Sequence, residues 1–370
     1  HPDFGKLQIT HRRALLRSLS EFKTPEAVNY VLQFLQRYPD SIRYRQTLLV
    51  VLAEMQTKSA QEVLFQQLKK EKEFVSISTI TDIFGALDDS LQLSTKQLPV
   101  LLDLANRDIY REVVSDLIEL ALSHGLIKAK LYRQLKPRLI WELYQDLGQL
   151  QVAAEVKQDS RDGDRYGQDY YPSGRNSNLE RNLRLLAPFL EKDQEVRALF
   201  ERAVQSPDKE IQILAMSLQL QEGRPVREKT LQAFAEDDRT RYTLYRHLAE
   251  VNQITRTYAP WFADTLALVR SILFEETTFE RRDNEDSGLD SVRFLSQHRT
   301  LRYKSPAMVY FFEVKKKKSK DWCLAYVNIA LSSGLFAYSD ASDQGATLTT
   351  RYDRQYRNRP EVTFSQFAGK

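Results

Sequence analysis

The residues able to do chemistry are few and scattered. Histidine occurs at His1, His11, His124, His247 and His298. None stands in a His-Glu dipeptide or an i, i+4 His pair, the spacing that sets two imidazoles around a metal on one helix face. His124 precedes Gly125 and reads as the cationic end of a helix, where the dipole favours positive charge. The one cysteine, Cys323, excludes an intramolecular disulfide and a multi-cysteine metal site. It sits in an apolar run, where a thiol is usually inert packing. Asp162, Asp164 and Gly167 match positions 1, 3 and 6 of a calcium-loop pattern, but Tyr166 and Ser173 replace the ligands at positions 5 and 12. That stretch reads as a solvated loop. No Gly-rich phosphate loop and no Gly-x-Ser-x-Gly elbow is present. No catalytic, cofactor-binding or metal-binding residue therefore emerges, and the chain reads as a non-enzyme. The residues singled out for partner contact are Lys315, Lys316, Lys317 and Lys318, at the tip of an expected hairpin. Lysines there either keep a strand edge from aggregating or meet an acidic partner or nucleic acid.

The elements that must carry these residues are mostly helices. Thr24, Pro25 and Glu26 open one, with a hydroxyl N-cap and proline in the first turn. Val28, Val31, Leu32 and Leu35 follow at helical spacing, and Pro39-Asp40 ends the run. A second helix carries Leu48, Leu49, Val51, Leu52 and Met55. The spacing predicts further pairs at 59–70 with 76–87 and at 96–105 with 110–122. Their starts recur about every 35 residues, in the range of two-helix repeats. Between pairs, the run Lys69 to Glu73 reads as solvated punctuation. Residues 7–22 read as a helix closing the open end. Residues 127–155 read as one long helix or two short ones broken at Pro137, with Trp141, flanked by apolar residues, in the core. Ser177 and Glu180 form a capping box that starts a second helical block.

Beyond Glu275 the period drops toward two. Val309 to Val314 and Trp322 to Ile329 are rich in aromatic and β-branched residues and predict a β-hairpin. Earlier strands are expected near 293–295 and 300–303, and an extended tail after Ser332. Alternation places Val309 and Phe311 on one face and Tyr310 and Phe312 on the other. Both faces are apolar, so the hairpin is expected to dock on the last helix, around Trp261, Leu268 and Leu273. The chain thus divides into helical repeats at 1–156, a polar loop at 157–178, a second helical block at 179–275, and a linker with a small β unit at 276–370.

Composition sets bounds on partners. The formal net charge is +4. Residues 291–370 hold 14 Lys and Arg against 6 Asp and Glu, so the rest of the chain is slightly acidic. A slightly acidic helical body is a poor match for nucleic acid. No apolar run approaches the roughly 18 residues needed to span a bilayer. The first residue is His1 rather than Met, which reads as a start removed by processing or cloning. The compartment stays open, export from a bacterium included, and so does the oligomeric state.

The helix pairs at 24–125 and 179–255 resemble a HEAT-like α-solenoid of the armadillo-like superfamily. Ser206, Pro207 and Asp208, leading into Ile211 and Ala215, are similar to the start of the second helix of such a repeat. The helix at 237–251 and the hairpin with Trp322 also resemble the C-terminal part of large bacterial proteins, a likeness that carries no activity. The expected fold is mainly α: an α-solenoid of antiparallel helix pairs with a small C-terminal β-hairpin or sheet. The resemblance implies a protein- or peptide-binding scaffold. Two alternatives follow from it: a DNA-glycosylase-like nucleic-acid binder, or a regulatory fragment of a larger enzyme. A metal-dependent hydroxylase family is also built on HEAT repeats, but the His-Glu pattern it uses is missing here.

Overall fold

The computed structural model describes residues 14–37, 41–72, 77–159, 175–254, 257–279, 289–302, 305–316, 322–330 and 345–348. The protein is mainly helical, with a C-terminal antiparallel sheet. It divides into two compact units, residues 1–143 with 177–189 and residues 144–176 with 190–370.

The helices of the first unit are α1 (Pro25–Arg37), α2 (Ile42–Glu54), α3 (Lys58–Leu68), α4 (Ile77–Asp89), α5 (Leu91–Lys96), α6 (Leu98–Ala105) and α7 (Arg111–Ser123). The caps follow from sequence. The Thr24 hydroxyl accepts from Ala27 N at 3.3 Å, and Thr57 accepts from Ala60 N at 3.3 Å. Each cap satisfies an N–H that the helix itself leaves unpaired. Helix α7 ends at Gly125, whose φ of 68° lets Leu126 N reach back to Ala121 O at 2.9 Å. The helices pack in two rows. α1 packs on α3 and α3 on α6; α2 packs on α4 and α4 on α7; α1–α2, α2–α3 and α6–α7 join the rows. α2 belongs to the core on nearly every side, with Leu48 to Ala53 all buried.

After α7 the chain makes two 3-10 turns, Ala129–Leu131 and Arg133–Leu135. It then enters a single helix, α8 (Lys136–Asp159), followed by α9 (Arg175–Leu186). Pro137 therefore opens a helix rather than breaking one. In the first turn its missing N–H has no intrahelical partner to lose. Trp141 is 61% exposed, against the expectation of core. Leu139, Ile140, Leu143, Leu147 and Leu150 take the buried side of α8 instead. At 100° per residue, Trp141 cannot join them. The residues flanking it in sequence lie on another side of the helix.

The helices of the second unit continue with α10 (Gln194–Val204), α11 (Lys209–Gln221), α12 (Glu228–Glu236), α13 (Arg241–Glu250) and α14 (Thr265–Phe279). Asp193 and Asp208 cap α10 and α11; the Asp208 carboxylate accepts from Glu210 N at 2.9 Å and Ile211 N at 3.4 Å. α10 packs on α11, α12 on α13, α11 on α13 and α13 on α14.

The sheet has the order β1-β2-β3-β4, all antiparallel, with β1 (Leu289–Arg302), β2 (Ser305–Lys316), β3 (Trp322–Ala330) and β4 (Gly345–Leu348). The hairpin is β2–β3, with Tyr310 opposite Val327. The two short strands expected before it are one long strand whose register shifts at 289–291 and 294–296. β4 lies within the tail read as extended. The alternation holds: Tyr310, Phe312 and Val314 join Val269, Ile272 and Leu273 of α14 in one core, while Val309 and Phe311 join Leu324 in another. Trp261 and Leu268, also named as the docking surface, belong to a separate core among α11–α13.

Candidate functional site

Of the four lysines singled out, Lys315 lies in β2 and is half-buried, opposite Ser291 and Trp322. Lys316 closes β2 opposite Leu289. Lys317 and Lys318 lie outside the described residues, as does the calcium-like stretch 160–174. Among the described residues no group of three or more His, Cys, Asp or Glu could hold a metal ion. His124 is the C-cap of α7, and its Nδ1 lies 2.9 Å from Leu120 O, as its neighbour Gly125 implied. His247 is buried in α13, with Nδ1 3.1 Å from Glu250 Oε2. His298 lies edge-on to Phe311, with centroids 5.8 Å apart.

The chemistry that the structure does assemble lies in the first unit, at the charge run after α3. Glu71 is only 3% exposed. Arg45 of α2 grips its carboxylate side-on, Nε to Oε1 at 2.5 Å and Nη2 to Oε2 at 3.1 Å. The backbone of the same turn is held from the far side. Arg107 Nη1 donates to Leu68 O at 3.2 Å and to Glu71 O at 3.0 Å, and Tyr110 Oη donates to Leu68 O at 2.8 Å. The bonds to Leu68 O satisfy a carbonyl that the end of α3 leaves open, and the bond to Glu71 O holds the turn beyond it. Burial first, then the Glu71 charge, push the Tyr110 hydroxyl above its usual range, so it stays a donor. The run read as solvated punctuation is therefore split. Glu71 turns inward, while Lys69, Lys70 and Lys72 stay exposed.

This turn forms one wall of a cleft of about 520 Å³. Leu32, Leu35 and Gln36 of α1, Ile42 and Arg45 of α2, Gln67 of α3, and Lys70, Glu71 and Lys72 line it. The lining combines aliphatic side chains, Leu32, Leu35 and Ile42, with cationic ones, Arg45, Lys70 and Lys72. The Glu71 charge is already matched by Arg45, which leaves Lys70 and Lys72 as the surplus charge among the described lining residues.

The α4–α7 row has the opposite sign. It carries Asp82, Asp88 and Asp89 on α4 and Glu112, Asp116 and Glu119 on α7. Arg17 meets Asp82 at 3.3 Å, and the buried Arg181 of α9 meets Asp116 at 2.8 Å. Asp88 is reached by solvent, yet its pKa is pushed up to about 6, first by the partial burial of its carboxyl, then by Asp116 and Asp89. Neither surface was legible as a site in the sequence. Arg45 and Glu71 lie 26 positions apart, and only the side-by-side packing of α2 and α3 brings them together.

No family profile matches the chain, and no curated protein or solved structure matches it.

Proposed function

We propose that this chain is a non-enzymatic interaction scaffold, a HEAT-like α-solenoid that binds a protein or peptide segment. The observation that supports this reading is the two-row packing of the first unit, in which helices meet their neighbours and near-neighbours in sequence. An array built on neighbour contacts buries a continuous core and leaves extended faces for a partner. The acidic α4–α7 row is one such face. It favours a protein partner over nucleic acid, since binding to phosphates is driven by counterion release at Lys and Arg.

The test is reconstitution. A protein recovered on the immobilised chain is purified and titrated back by calorimetry. A micromolar or tighter complex is expected, weakened about tenfold by Asp89→Lys with Glu112→Lys. The reading fails if no recovered protein rebinds in pure form. It also fails if labelled duplex DNA binds at submicromolar concentration in roughly 0.15 M salt.

A further inference from the structure

We propose that the cleft between α1, α2 and the turn after α3 binds the C-terminal end of a peptide. The last side chain, an aliphatic one, lies against Leu32, Leu35 and Ile42, and the terminal carboxylate sits at Lys70 and Lys72. This rests on the scaffold reading only for the class of partner; the site itself is argued from its lining.

Three properties of the lining select this ligand. The first is charge. Arg45 is joined to Glu71 by two hydrogen bonds, so that pair is neutral within the wall. The exposed Lys70 and Lys72 then give the rim a net positive charge, with no acid other than Glu71 among the described residues of the lining. A carboxylate answers it, and a basic or neutral terminus does not. The second is apolar surface. Leu32, Leu35 and Ile42 line the same cleft as the lysines, so charge and aliphatic group must be joined over a short distance. A C-terminal residue with an aliphatic side chain has this construction. The third is the pair of amides. Gln36 and Gln67 each offer donors and an acceptor, which suit the peptide group preceding the last residue. An alkyl chain would bury against them and reward neither. At about 520 Å³, the cleft falls within the range of small-ligand pockets, roughly 300–1,000 Å³.

The wall is also fixed before a ligand arrives. Arg107 and Tyr110 hold the Leu68 and Glu71 carbonyls, and Arg45 holds the Glu71 carboxylate. A preset wall lowers the ordering cost of binding.

The experiment uses the full chain and a fluorescein-labelled hexapeptide ending in Val-Leu with a free carboxylate, followed by fluorescence anisotropy. Saturable binding is expected, in the range of about 1–100 µM. Amidating the C-terminus should weaken it about tenfold or more, and Lys70→Glu with Lys72→Glu should do the same without moving the melting temperature. Lys72→Gln, a milder change at an exposed position, should weaken binding less but in the same direction. The inference is overturned if acid and amide bind alike, if either lysine variant binds like the parent, or if no binding occurs up to about 1 mM. It is also overturned if dodecanoate displaces the peptide at concentrations below that of the free-acid peptide itself, since the site would then be one for alkyl chains. Failure here, with the recovered protein partner still rebinding the lysine variants, removes the cleft and leaves the scaffold reading standing.

Discussion

Glu71 sits in a run of alternating charges and is nonetheless buried, and its removal from water has to be compensated by Arg45. Breaking a buried ion pair from one side typically costs roughly 3–5 kcal/mol, because the remaining charge is stranded. Arg45 is itself partly exposed, which lets water replace some of what it supplies. Arg45→Ala is therefore expected to lower stability by about 2 kcal/mol, below that range. Urea unfolding followed by circular dichroism measures it; a loss under about 0.5 kcal/mol would mean that water alone suffices for Glu71. Asp88 makes a prediction about pH. Its folded pKa is raised to about 6 from 3.8, so the folded state holds this proton more tightly than the unfolded chain does. The stabilisation is complete below about 3.8 and is lost as pH rises through about 6. Asp88→Asn should flatten the stability profile over that window, with Asp116, Asp89 and Arg181 left in place. Melting temperatures taken at pH 4, 5, 6 and 7 would refute this by keeping the parent's slope in the variant. Neither residue was legible beforehand. Composition treats five consecutive charges alike, and only the angle at which the turn leaves α3 decides that the third of them points inward.

The helices themselves were legible because their ends are marked chemically. Thr24 and Asp208 each precede an apolar periodic run and each makes a cap in the structure, as does Thr57, just ahead of the helix expected from residue 59. Asp208→Ala should cost about 1 kcal/mol, the usual loss on removing a side-chain cap. Asp208→Asn should cost less, since its amide oxygen can still accept from Glu210 N and Ile211 N. Equal losses for the two would indicate that the cap's negative charge at the helix N-terminus matters more than its hydrogen bonds. Less legible was the side of a helix that faces inward where apolar residues are too many. On α8 the run from Leu139 to Leu150 has more apolar positions than one face can bury, and Trp141 and Tyr144 are left outside. The strands show a related limit. β2 and β3 announce themselves by alternating aromatic and β-branched residues, whereas β1 carries Asp290, Arg293, Gln297 and Arg299 on a half-exposed edge. An edge strand needs polar residues to resist stray pairing, and those same residues conceal it from a hydrophobicity pattern. The cleft was hidden for a different reason. It requires α1, α2 and α3 to meet at one turn, and no local signal encodes that meeting.

At the scale of the whole chain, charge and apolar cover are distributed unevenly. The basic excess lies in the C-terminal 80 residues, while the helices carry a slight acidic surplus. Part of the apolar cover lies where α14 meets the sheet. Val269, Ile272 and Leu273 are 0–1% exposed, and the residues that share their core come from β1, β2 and β3: Leu289, Tyr310, Phe312, Val314, Ala325, Val327 and Ile329. The sheet supplies most of this core, so α14 depends on it for burial. Burying a side chain of this size contributes roughly 1.5–3 kcal/mol, so exposing three on α14 would cost on the order of 5 kcal/mol. A domain is typically stable by only about 5–15 kcal/mol, so the loss is a large share of the total. Deleting residues 289–370 should accordingly lower the melting temperature of the helices preceding them, or drive association through the uncovered α14. Scanning calorimetry and size-exclusion chromatography read both outcomes. Phe312→Ala is the milder version: it is fully buried in the same core and should cost about 3–5 kcal/mol while keeping the chain intact. If the truncated chain stays monomeric and melts where the full chain does, the sheet covers α14 without holding it. The Phe312→Ala loss would then fall on the strands alone, visible as an early β transition ahead of an unchanged helical one.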